Sequence, residues 1–80
     1  MMNMEIVFEV CVESATNKDA FPCQDTYKEA NKLYKKFDFF DLKEKFGYEP
    51  DIKYIKAVVM DEHGIEGNIS SKIIKKKRYH

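Results

Sequence analysis

Eighty residues, 44% of them hydrophobic and 35% charged, make one globular domain and exclude both a two-domain chain and a disordered one. No run of about 18 apolar residues occurs, so a membrane-spanning helix is not expected. The formal net charge is zero but unevenly spread: residues 1–70 hold nine Lys against fourteen Asp and Glu, and residues 71–80 hold four Lys, one Arg and no acid.

The chain opens on an alternation. Ile6, Phe8, Val10 and Val12 share one face, and Glu5, Val7, Glu9, Cys11 and Glu13 the other. Period two with β-branched residues predicts a strand over 5–14, its first face buried and its second wet. Turn chemistry fills 15–19, and 20–24 can return as a short strand that Pro22 confines to an edge. Thr26 and Glu29 then have the spacing of a capping box. Ala30, Leu33, Tyr34 and Phe37 repeat at helical spacing while Lys28, Lys32, Lys35 and Lys36 point away. A second box, Asp41 to Glu44, precedes Gly47 as a stop, with Pro50 just beyond.

Residues 52–60 are apolar on both faces, which places that strand inside a sheet. Asp61-Glu62-His63-Gly64 reads as a hairpin turn with Gly64 in the left-handed position. Ile65, Ile69 and Ile73 then share one face of a final strand. The expected fold is α+β in a single small domain, 1–80. An antiparallel-rich sheet of three to four strands carries one main helix (about 26–38) and a short second helix (about 41–46) on one face. Residues 75–80 are its last strand end or a basic tail.

Glu5, Glu9 and Glu13 form an acidic stripe on the wet strand face that can dock a basic partner or pair across strands. Lys75, Lys76, Lys77, Arg78 and Tyr79 set clustered cations beside an aromatic ring, which suits phosphates and a stacked base. If the first and last strands are neighbours, Lys72 and Lys75–Lys77 neutralise the stripe. A hairpin centred on Asn17 would set Cys11 opposite Cys23, within reach of a disulfide. No basic n-region or export signal is read at the N-terminus, so a cytoplasmic location and two free thiols are expected.

Catalytic signatures are missing from this inventory. His63 sits in the turn with no nucleophile to serve, and Asp38, Asp41, Glu44, Glu49 and Asp51 lack calcium-loop spacing. Two Cys and two His do not make a zinc site. No metal, cofactor or catalytic residue is therefore expected, and the chain reads as a non-enzymatic protein-interaction module. The alternative is a nucleic-acid-binding module using the basic end. A homodimer is left open.

The segment Asp25-Thr26-Tyr27-Lys28-Glu29-Ala30 resembles a strand-to-helix motif common in small α+β proteins of phages and mobile elements. Asp61-Glu62-His63-Gly64 looks like a D-E-N-G hairpin. Small size, AT-rich codon preference and an acidic body are similar to phage-encoded inhibitors such as anti-CRISPR proteins, which implies a protein partner. The order of elements and the Arg78-Tyr79-His80 ending also resemble the RelE-related ribosome-dependent RNase toxins. A neutral chain with one Arg departs from their basic pattern.

Overall fold

Four strands and two helices follow one another in the computed structural model, which describes residues 5–61 and 64–79. They are β1 (Glu5–Glu13), β2 (Lys18–Ala20), α1 (Tyr27–Lys36), α2 (Phe39–Phe46), β3 (Ile52–Asp61) and β4 (Gly64–Arg78). The sheet order is β2-β1-β3-β4, and every pairing is antiparallel. The fold is the expected single α+β domain, with β3 interior as its two apolar faces required.

The helices cover one face of the sheet. Val10, Val12 and Ile55 point into it and pack with Phe21, Ala30, Tyr34 and Leu42, all buried. Phe8, Leu33, Phe37, Phe46, Tyr48 and Tyr79 close the rim of this core. Aromatic rings do much of the filling: Phe21 lies 4.9 Å from Phe37 and 5.4 Å from Phe46, centre to centre.

Both helices start on side-chain caps. The Thr26 hydroxyl accepts the Glu29 amide at 3.2 Å and so starts α1 where expected. Thr26→Ala is expected to cost about 0.5–2 kcal/mol, read by urea denaturation. An unchanged midpoint would mean that packing alone starts this helix. The second helix differs from the reading at 41–46. Its cap is Asp38, not Asp41, and the helix begins at Phe39. The Asp38 carboxylate accepts the Asp41 amide, and the Asp41 carboxylate accepts the Asp38 amide. Asp41 thus serves as the third helical residue of a box set one turn earlier. Gly47 ends α2 in the left-handed region at φ 82°, its amide donating to the Lys43 carbonyl.

Three other expectations change. The return strand lies at Lys18–Ala20, not 20–24; of the later part, the Phe21 amide still donates to the Val10 carbonyl and Gln24 bridges back to Phe8. Pro22 breaks the ladder between those two contacts. The expected hairpin joins β3 to β4, with Asp61 paired to Gly64, but Gly64 is the first strand residue of β4 and not a left-handed turn residue. Glu62 and His63 of the turn lie outside the described residues, as do the side chains of Ile65 and Ile69. Residues 75–78 are no tail: they belong to β4, and the Tyr79 amide donates to the Asp51 carbonyl at 2.8 Å. His80 lies outside the described residues.

Candidate nucleic-acid interface

The two charged features of the sequence end up on different parts of the sheet. Because β3 lies between β1 and β4, the basic strand is not the neighbour of the acidic one. Two strand spacings, about 9–10 Å, separate them. The expected pairing of Lys72 and Lys75–Lys77 with the acidic stripe fails for that reason. Hairpin connectivity places β4 on the outer side of β3, and the inner side is taken by β1.

The acidic stripe is engaged by β3. Glu9 is opposite Lys56, and their charged groups meet at 3.3 Å. The same carboxylate accepts from both thiols, Cys11 at 3.2 Å on one oxygen and Cys23 at 3.7 Å on the other. Glu13 accepts a hydrogen bond from the Tyr54 hydroxyl. Glu9 and Glu13 are half-buried, and Glu5 alone of the three is exposed. The helix-free face is also less wet than alternation implied. Val7 and Cys11 are 7% and 1% exposed, because Val58 and Tyr54 stand directly opposite and cover them.

Cys11 and Cys23 are both free thiols. The hairpin sets Cys11 against Ala20, so the expected Cys11–Cys23 opposition does not form. Burial, then the Glu9 carboxylate, pushes the Cys11 thiol up to about 12. Cys23 is raised in the same way. Thiols held protonated are poor nucleophiles and poor metal ligands. Among the described residues, no group of three His, Cys, Asp or Glu gathers to hold a metal ion.

The basic side is built from α1 and β4 together. In β4, Lys75 is opposite Ile55 and Lys77 opposite Lys53, so both face the helices. A bulge between the Ile55 and Lys56 positions absorbs Ile74, after which Lys72, opposite Ala57, also faces the helix side. Lys75 Nζ bonds Asn31 Oδ1 of α1 at 2.7 Å and lies 5.0 Å from the centre of the Tyr34 ring. That bond docks one flank of α1 beside β4. Lys28 and Lys35 are three residues before and four after Asn31, so they share its flank. Both are exposed. Lys77 lies 5.5 Å from the Tyr79 ring, which packs on Phe39 at 5.3 Å. Lys76 and Arg78, opposite Tyr54 and Ile52, fall on the other face of the same edge.

Within α1 and residues 70–78 stand nine Lys and Arg and one acid, Glu29. The C-terminal cations were visible in the sequence. Their union with the α1 lysines was not, since it depends on the Lys75 side chain reaching α1 from β4. The Lys28–Asn31–Lys35 spacing was the available signal. Tyr79 is set inward against the core, its hydroxyl buried without a hydrogen-bond partner among the described residues and raised to about 12 by burial. It therefore anchors the strand end and is not an exposed stacking ring. No helix is long and apolar enough to cross a membrane among the described residues. No family model, curated protein or solved structure matches the chain.

Proposed function

We propose that this domain is a non-enzymatic module that binds the phosphate backbone of nucleic acid through the α1–β4 face. The observation that carries the reading is the Lys75–Asn31 bond, which ties Lys28 and Lys35 of α1 to Lys72, Lys75 and Lys77 of β4 on one face. Gathering like charges costs energy unless a polyanion neutralises them, and phosphates do so with release of counterions. One Arg in the chain gives little capacity to read base edges, so the binding is not sequence-specific.

A protein partner on Glu5, Glu9 and Glu13 has less support. Glu9 and Glu13 already hold Lys56, the thiols and Tyr54. A partner would have to displace those contacts before it gained its own.

The test is fluorescence anisotropy of labelled RNA and DNA oligonucleotides at 50–300 mM salt, a range of about sixfold. Binding is expected to weaken linearly in log–log form. Replacing Lys28, Lys35, Lys75 and Lys77 with Gln is expected to reduce the slope by about 3, at 0.7–0.9 per phosphate contact. Gln keeps a donor for Asn31, so the fold is spared. No binding by the native chain, or an equal slope in the variant, rejects the reading.

A further inference from the structure

Among the described residues, the helix-facing side of the sheet is not fully covered. The first helix begins at Tyr27 over Phe8 and runs toward Lys53, whose ammonium reaches the carbonyls of Tyr34 and Phe37. Among the described residues, no helix covers the rows beyond its start. One row is Phe8, Ala57 and Lys72, and the next is Ile6, Val59 and Ser70, each set directly opposite across three strands. Ile6 is 56% exposed and Tyr27 40%. Ala57, small and half-buried, keeps the middle of this surface low. Tyr27 stands on Phe8 edge-to-face, ring centres 6.0 Å apart, so its position is fixed by the core below it. Cations border the platform on two sides: Lys28 beside Tyr27, and Lys72 on the β4 edge.

We infer that this platform takes unpaired bases, so that the ligand of the α1–β4 face is single-stranded nucleic acid and not duplex; the inference rests on the phosphate-binding reading above. A flat apolar surface with a rigid, exposed aromatic ring offers a base a stacking partner. A duplex buries its base faces and could use only the lysines. An apolar protein surface would also fit Ile6 and Val59, but it would gain nothing from the cations along both borders. A single strand matches both parts at once: its bases meet Tyr27 and the sheet, and its phosphates run along Lys28, Lys72 and Lys75.

The experiment compares a labelled 15-nucleotide oligo(dT) and oligo(U) with a 15-base-pair DNA duplex by anisotropy, in the native chain, Tyr27→Ala and Tyr27→Phe. The native chain is expected to prefer the single strands. Tyr27→Ala is expected to weaken single-strand binding about tenfold by removing one stacking partner, with the salt slope unchanged. Tyr27→Phe keeps the ring and is expected to bind as the native chain does. Thermal melts of all three proteins identify any loss of fold; if Tyr27→Ala unfolds, Ile6→Gln at the exposed Ile6 takes its place, expected to weaken oligo(U) binding by removing apolar platform without changing the charge. Equal or tighter binding of the duplex, or no effect of either platform variant in a folded protein, overturns the inference and leaves phosphate binding standing. Failure to bind any oligonucleotide overturns both.

Discussion

Raising the pH from 8 to 11 is expected to remove about 4 kcal/mol of folding stability through one thiol and one phenol alone. Cys11 is 1% exposed, and its burial, then Glu9, pushes its pKa from 9.0 to about 12. Tyr54 is 4% exposed and is raised above 10.0 by burial first and by its bond to Glu13 second. In the unfolded chain both ionise at their ordinary values. Between those values and the folded ones, the native state holds more protons than the unfolded state, so stability falls as pH rises. Each group costs about 1.4 kcal/mol per pH unit in that window. By pH 11 this amounts to roughly 2.7 kcal/mol from Cys11 and roughly 1.4 from Tyr54. A chain of this length has about 4–12 kcal/mol to lose. Tyr48 and Tyr79, both raised to about 12 with burial as the first cause, act in the same direction. Lys53 acts against them: its pKa is lowered, so its contribution grows as pH rises toward 10.5. Urea denaturation at pH 8, 9, 10 and 11 with a thiol reductant present measures the sum. The Cys11→Ser, Tyr54→Phe double variant should show a much flatter profile. A native profile that is already flat would mean that the Cys11–Glu9–Tyr54 side of the sheet opens to water.

The helix-free face that produces this alkaline weakness was the least legible part of the sequence. Alternation placed Val7 and Cys11 correctly opposite to Val10 and Val12, but it could not say what lay across from them. Their burial comes from the register, which sets Val7 on Val58 and Cys11 on Tyr54. Register is long-range information that no window within β1 contains. The same gap explains the misplaced charges. Each strand and the two-apolar-face nature of β3 were readable locally, yet the choice of β3 as the shared neighbour separated Glu9 from the C-terminal lysines and gave it Lys56 instead. The start of α2 failed for a different reason. Asp38, Asp41 and Glu44 repeat at the spacing of a capping box twice over, and the earlier start is the one that sets Phe39 against Tyr79. On the basic face, the lysines of β4 and of α1 were each plain in the sequence. Tyr27 was visible only as a helix residue, since its exposure depends on where α1 begins over the sheet.

Lys53 is a buried cation that strand parity could have flagged, because it lies two residues before Ile55 on the inward face. It is 5% exposed, and its ammonium donates to the Tyr34 carbonyl at 2.6 Å and the Phe37 carbonyl at 2.9 Å. The Tyr34 carbonyl lies in the last turn of α1 and the Phe37 carbonyl at its C-cap, where carbonyls have no partner within the helix. A lysine from the sheet thus closes the helix end, where cations are favoured. The Tyr34 ring, 4.3 Å from the ammonium, favours the charge as well. Burial and then Lys77 oppose it, and the balance leaves the pKa below its ordinary 10.5. Lys53→Met keeps most of the stem's volume but leaves both carbonyls without their donor, and is expected to cost about 1–3 kcal/mol. Lys53→Ala adds a cavity beneath Tyr34, and its cost is expected to reach about 2–5 kcal/mol. Urea denaturation at pH 7 orders the three proteins, and amide exchange over 33–38 locates the damage at the end of α1. Should Lys53→Met match or exceed the native chain in stability, the desolvation of the ammonium outweighs its two hydrogen bonds, and α1 is held by Ala30 and Tyr34 packing on the sheet instead.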